Sequence, residues 1–332
     1  EVLRVLVPEG VAYVREGDTW AKHVKPRPDT IDEWSHFLHD ASNNAVAMDS
    51  VVGPPSEIQW IAPPLWLRSH ETPSGIQSQV SAGGRLFYIF DEGLVGIVDQ
   101  RIPDRWSIIC RDAFNGKQLW RREVPAWGWR EWAKDKIEGQ DLTVTSGLRT
   151  VVPDENQRRL VADSDRLYAT LGYHAPLSIL DAATGEELMT IPGTDNTLEI
   201  LASDGVVLSH AEPPLDETGQ RRGEQDTAQA TLTAVDGKSG KVLWQKKTGR
   251  IRSLFLAIDG GVTVFQDGDE LVGLALRSGE QVWRTKLKNK SGQTLILHSG
   301  VALVKGGNTL EAYNLQDGGP MWDREIPKGS SA

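Results

Sequence analysis

The 332-residue chain has one cysteine, three methionines and no excess of basic charge. A single Cys110 permits no internal disulfide and matches no zinc-ligand spacing. It sits in the apolar run SIIC and is expected to be buried and inert. Lys and Arg number 36 against 46 Asp and Glu, a balance of 36 − 46 = −10. An acidic chain without a basic run argues against sequence-independent nucleic-acid binding. The stretches RREVPAWGWREWAK and QRRGEQD are mixed in sign and read as solvated loops. No apolar run is long enough for a transmembrane helix, and residue 1 does not open a signal peptide. No long segment combines a helical apolar period with caps. What remains is glycine (33), proline (17), tryptophan (12) and many short β-branched runs.

One pattern recurs five times: an apolar run, a polar turn, a glycine and, four residues on, usually a tryptophan. The copies are CRDAFNGKQLW, ILDAATGEELM, AVDGKSGKVLW, LALRSGEQVW and YNLQDGGPMW. Their glycines are Gly116, Gly185, Gly240, Gly279 and Gly318, followed by Trp120, Met189, Trp244, Trp283 and Trp322. The last two intervals, 279 − 240 and 318 − 279, are both 39, close to the period of a propeller blade. The fourth copy divides into SLFLAID, GGVTVFQ, DELVGLAL and EQVWRTKL, four short strands bounded by Gly and Asp. An Asp or Asn bonds its own backbone in the D-x-x-x-G turn, and Gly accepts the positive φ. The Trp is expected to pack between adjacent blades rather than to stack on a ligand. The sequence thus predicts an all-β chain of four-stranded antiparallel blades, with a propeller over 31–332.

Residues 1–30 read as a separate piece. EVLRVLVPEGVAYV is two apolar runs around a Pro-Glu-Gly turn. It resembles the end of a class I S-adenosylmethionine methyltransferase, where a helix ending R-V-L-x-P-x-G leads into a strand. A hairpin packing on the propeller is the other reading. WAKHVKPRPDTIDEW follows as a Pro-containing linker.

From Trp34 the chain runs through Phe37, Asp40, Asn43 and Asn44 to Pro54, Pro55 and Trp60. With the D-x-x-[TS]-G-x-x-x-W repeats, residues 34 to 326 resemble the pyrroloquinoline-quinone-type, BamB-like propeller repeat family. More narrowly, they resemble planctomycete proteins joining a methyltransferase-like region to such a propeller. The resemblance implies a bacterial, periplasmic or cell-surface protein and about seven or eight blades. EIQW before Trp60 reads as a lone outer strand, with five complete units after it. The ring is therefore expected to continue past Ala332; a five-bladed ring is the alternative. His36 and His39 have a spacing that invites a metal, with Asp40 adjacent, but no third ligand is identifiable and a structural role is expected.

Alternating strand direction gathers every long excursion on one rim, which is the expected ligand or partner face. Candidate residues there are Arg68, Ser69, His70 and Glu71, which could bind an anion or polyhydroxyl ligand. Trp127, Trp129 and Trp132 form an aromatic platform or a packed loop core. Tyr173 and His174 lie near the channel mouth, and Asn196 and Arg252 precede inner strands and could point into the channel. Three function classes follow. The first is a noncatalytic propeller binding a protein or polysaccharide. The second is a quinone-dependent dehydrogenase with calcium, for which the family's adjacent cysteines and Glu/Asn/Asp ligand set are not matched here. The third is a carbohydrate hydrolase or lyase using Glu71, His70 or His174. The first is favoured, with no cofactor, no metal, no nucleic acid and no integral membrane segment expected.

Overall fold

A computed structural model describes residues 2–51, 53, 56–63, 75–93, 104–134, 138–139, 152–213, 230–289 and 292–327. Arg68, Ser69, His70 and Glu71 lie outside the described residues. The chain opens with a single-turn helix, α1 (Val2–Val5), and a hairpin of β1 (Val11–Glu16) and β2 (Thr19–Val24). No residue of α1, β1 or β2 is buried. The two runs around Pro8-Glu9-Gly10 are thus a helical turn and a strand rather than the two arms of one hairpin, and the hairpin forms after them, around Gly17 and Asp18.

Five four-stranded antiparallel sheets follow, each a simple meander. Blade 1 is β3 (Ile76–Ala82), β4 (Arg85–Asp91), β5 (Trp106–Asp112) and β6 (Gln118–Glu123). Blade 2 is β7 (Leu160–Asp163), β8 (Arg166–Thr170), β9 (Leu177–Asp181) and β10 (Glu187–Thr190). Blade 3 is β11 (Thr197–Ser203), β12 (Val206–Ala211), β13 (Ala230–Asp236) and β14 (Val242–Thr248). Blade 4 is β15 (Leu256–Asp259), β16 (Val262–Asp267), β17 (Glu270–Ala275) and β18 (Gln281–Lys286). Blade 5 is β19 (Gly292–His298), β20 (Val301–Gly306), β21 (Thr309–Asn314) and β22 (Pro320–Glu325). The innermost strands touch in chain order, β3 to β7, β11, β15 and β19. Two- and five-residue turns, from 83–84 to 315–319, line one rim throughout, and the long links lie on the other.

The repeat works as its chemistry suggests. Asp112 Oδ1 accepts the N–H groups of Phe114 and Asn115, and Asp181 and Asp236 play the same part in blades 2 and 3. The turn amides hold Asp181 below the usual carboxylate range, and the Ser239 hydroxyl with the turn amides does so for Asp236. Every outer strand carries one extra residue just before its Trp or Met, a register shift between the third and fourth strands of each blade. Such a bulge increases local twist and re-aims the next side chain. The re-aimed ring crosses to the following blade. Trp60, Trp120, Trp244 and Trp283 lie against Gly116, Gly185, Gly279 and Gly318, where a Cβ would meet ring carbons at 2.4–2.6 Å. Each indole N–H also donates to the carbonyl three residues before that glycine: Ala113 (3.0 Å), Ala182 (3.0 Å), Leu276 (2.7 Å) and Leu315 (2.7 Å). Met189 replaces the ring in blade 2 and covers Gly240. Small residues face the rings from the third strand: Cys110, Ala234, Gly273 and Ala312.

Two expectations are corrected. Residues 57–60 form no strand, although Trp60 docks as an outer-strand Trp would. Trp322 covers no glycine of the described residues and is 43% exposed, against 6% for Trp283. Cys110 is fully buried, and burial pushes its thiol up to about 12, as its apolar run implied.

The segment 34–43 crosses the ends of all five innermost strands. In each blade the penultimate residue of the innermost strand gives its N–H to this segment. Ser81 bonds Trp34 O (2.7 Å) and Ala162 bonds Ser35 O (3.0 Å). Ala202 bonds His36 Nε2 (3.0 Å), Ile258 bonds Ala41 O (2.7 Å) and Leu297 bonds Ser42 O (2.9 Å). Asn43 Nδ2 reaches further and bonds the carbonyls of Leu256 (3.0 Å) and Leu295 (3.2 Å). Because these penultimate residues adjoin the tight turns, the segment is a collar at the tight-turn rim. His39 and Asn43 turn it with φ of 77° and 61°, in the left-handed region.

Candidate functional site

Two groups of side chains stand out, one on the long-link rim and one buried against the collar. The first is aromatic. The link between blades 1 and 2 contains a one-turn helix, α2 (Trp129–Trp132), and a 3-10 turn, Asp154–Arg158. Trp127 is buried and donates Nε1–H to Thr170 O (3.1 Å). Its ring lies 6.2 Å from Trp106 and 6.3 Å from Trp132, and Trp132 lies 5.4 Å from Tyr173. Trp127 and Trp132 are therefore the core of the link. Trp129 is half-buried, carries Arg130 4.4 Å over its ring, and is fixed by its own N–H to Asp104 Oδ2 (2.8 Å). Arg159 lies beneath, fully buried, with its guanidinium 4.4 Å over the Tyr173 ring and bonded to Tyr173 O. Burial lowers it to about 10.

His174 is exposed at the edge of this cluster. Asn196 holds it at two points: Asn196 N–H donates to His174 O (3.1 Å), and Oδ1 lies 2.8 Å from Nδ1. A carbonyl oxygen can only accept, so in this pairing Nδ1 is the donor. Asn196 has a φ of 57°, which Asn tolerates better than most residues. The Asn196 side chain, offered for the channel, is bonded to His174. Tyr173 is buried, its hydroxyl 3.3 Å from Glu155 Oε1. Arg252 is exposed before β15.

The second group is buried and ionic, and sequence reasoning missed it. Glu199 on β11 is 2% exposed and lies 3.4 Å from Arg158 Nε and 3.9 Å from His210 Nδ1 on β12. His210 Nε2 is 3.7 Å from Glu212. Desolvation raises the Glu199 carboxyl, and Arg158 opposes it. Glu199 and Arg158 line a small cavity shared with His36, Asp40 and Asn43 of the collar. The available signal was a lone glutamate inside the apolar run TLEIL.

His36 and His39 are structural, as expected. His36 is a neutral acceptor for Ala202 N–H, and burial lowers it to about 4. His39 Nε2 lies 2.6 Å from Asp32 Oδ2. Among the described residues no three His, Cys, Asp or Glu side chains are placed to hold a metal ion. No described helix is long and apolar enough to cross a membrane.

The blades, their turn geometry and their order define a β-propeller assembled from repeats of a single kind. The family model described as outer membrane protein assembly factor BamB matches residues 104–254 and 228–331, and the chain belongs to that family. Among solved structures it is similar to BamB from Moraxella catarrhalis. That match has 13% identity and a TM-score of 0.42, and covers 73% of this chain and 58% of that one. It is also similar to a quinohemoprotein alcohol dehydrogenase from Comamonas testosteroni. There identity is 11% and the TM-score 0.50, with 89% of this chain and 49% of that one covered. The chain spans about half the length of these structures. No curated protein matches it in sequence.

Proposed function

We propose that this propeller is a noncatalytic binding module that engages a protein or polysaccharide on its long-link rim. The observation that carries the reading is the asymmetry of the two rims. The collar binds the ends of all five innermost strands at the tight-turn rim, so a partner is offered structured side chains from the opposite side. There the chain presents Trp129 beside Arg130 and an exposed His174 clamped by Asn196, all resting on a packed aromatic base. Trp offers flat apolar area at small entropic cost, and Arg and His supply directed polar contacts. The family's printed role in outer-membrane protein assembly supports a protein partner and a place in the periplasm or at the cell surface.

The test is a pull-down from a periplasmic extract together with a glycan array, followed by substitutions. Trp129→Ala and His174→Ala should weaken any binder by about 1 kcal/mol or more each. Arg68→Ala is expected to act in the same direction. Lys238→Ala and Arg277→Ala, in the tight turns of blades 3 and 4, should leave binding unchanged. The reverse pattern would refute the choice of rim.

A further inference from the structure

Beneath the long-link rim, the 3-10 turn and the hairpin of β7 and β8 bury more hydrogen-bonding capacity than they use. Asn156, Arg159 and Thr170 are each 0% exposed. Arg159 Nη1 donates to Tyr173 O, but Nε and Nη2 have no hydrogen-bond partner. Neither amide atom of Asn156 is bonded, and nor is Thr170 Oγ1. Buried polar side-chain atoms are nearly always paired in folded proteins, so this concentration of unpaired ones calls for an occupant.

The backbone brings the three residues together. Side chains three apart in a 3-10 turn eclipse, which sets Asn156 on the same side as Arg159. The register pairs Leu160 with Ala169, so Arg159 stands opposite Thr170 on one face of the hairpin. The charge at this point is unbalanced. Among the described residues no carboxylate lies within ion-pair distance of Arg159, whereas Arg158 has Glu199 at 3.4 Å. Glu155 acts on Arg159 through space, and its own Oε1 lies 3.3 Å from the Tyr173 hydroxyl. The rings of Tyr173 and Trp127, 4.4 and 5.8 Å from the guanidinium carbon, cover it with aromatic surface. At about 10 after burial, Arg159 is still charged at neutral pH. A buried charge without a partner is costly.

We propose that Arg159, Asn156 and Thr170 form a binding site for a small carboxylate anion, enclosed between the link and blade 2. Nε and Nη2 are the two donors on one side of the guanidinium, and in parallel they match the two oxygens of a carboxylate. Asn156 Nδ2 and the Thr170 hydroxyl add donors for the remaining lone pairs. Water would satisfy the donors but leave the charge unbalanced, and chloride lacks the paired oxygens that the fork fits. Full burial of all three residues restricts the ligand to the size of formate or acetate. The anion lies below the surface that a partner would touch, so the site is independent of what the rim engages.

The experiment is an acetate titration at neutral pH of the chain refolded from urea in chloride buffer, so that no carboxylate is carried over. Sodium acetate replaces sodium chloride at constant ionic strength. Tryptophan fluorescence should change saturably, since Trp127 lies beside the guanidinium, and the thermal midpoint should rise with the logarithm of acetate above the dissociation constant. Arg159→Lys keeps the charge but loses the fork, and should weaken the half-saturation several-fold. Asn156→Asp builds a carboxylate into the site, so it should melt above the parent in chloride alone and lose the acetate response. That variant keeps the test open should Arg159→Lys not fold. No response in the parent overturns the proposal, and so does one that sulfate reproduces, which would mark an adventitious ion only. An Asn156→Asp variant that melts below the parent in chloride, or that responds to acetate as the parent does, overturns it as well.

Discussion

His36 accepts a main-chain N–H from blade 3 through Nε2, so protonating it removes the acceptor and places a charge among buried groups. Burial sets the balance against the charged form; Asp40 favours that form and His39 disfavours it. With the folded value lowered from 6.5 to about 4, the native state binds fewer protons than the unfolded chain across that interval. This stability is present above about pH 6.5 and is lost as pH falls toward 4, by up to about 3 kcal/mol. His36→Gln retains an acceptor without the titration, so its denaturation midpoint should fall less between those pH values. Glu199 has the opposite sign. Its carboxyl is raised by desolvation, so its contribution is held at acid pH and lost as pH rises through the folded value. Glu199→Gln should therefore be at least as stable as the parent at pH 7, and urea titrations at pH 5 and pH 7 would show it. A less stable variant at pH 7 would mean that the Arg158 pairing outweighs the desolvation.

At the scale of the element, the blade is a strand meander whose outer strand is bulged so that one side chain reaches the next blade. Trp283→Ala should cost on the order of 3–5 kcal/mol, because a buried aromatic and its hydrogen bond are both lost, and Trp244→Ala, where the ring is half-buried, should cost less but in the same direction. Gly279→Ala should approach the same cost from the other side of the contact, since φ is 71° and the new Cβ would lie 2.6 Å from the Trp244 ring. Thermal melts test all three, and unchanged melting in the Trp variants would refute the inter-blade role. Most of this was legible from the amino-acid order. The spacing of Gly240, Trp244, Gly279 and Trp283 encodes both turn and contact, because turn chemistry is local and its period repeats. The bulge was not legible, since an extra residue in one strand shows only when the register with its partner is known. Nor was the fate of Trp322, whose exposure depends on what lies beside it and not on its own repeat.

At the scale of the molecule, the gathering of the long links on one rim was legible because strand alternation is a topological rule that loop lengths obey. The contents of the rim were less so. Tyr173, His174 and Asn196 were singled out from their positions in links, but the pairing of Asn196 with His174 joins two links twenty-two residues apart. Glu199 and His210 come together because neighbouring strands of blade 3 bring them level, a matter of register. With a single cysteine the chain cannot form the adjacent-cysteine pair that the quinone-dependent enzymes imply, and we expect it not to bind pyrroloquinoline quinone tightly, even with added Ca²⁺. Saturable binding in a fluorescence titration, with dye reduction by an alcohol or sugar, would instead place it among the dehydrogenases.

The collar also bears on the order in which the protein is made. Arrays of similar units tend to fold one neighbour at a time, each unit stabilised mainly by the next. Here residues 34–43 emerge from the ribosome before any blade, yet their last partners come late. The bond from Asn43 to Leu295 spans 252 residues, and its acceptor exists only once β19 has been synthesised. Closing so large a loop is entropically slow and becomes favourable only when the blades between are already stacked. The early segment must therefore wait, unsatisfied, for blade 5. When it locks, units that could have opened separately are held to one another, and unfolding any one of them strains the rest.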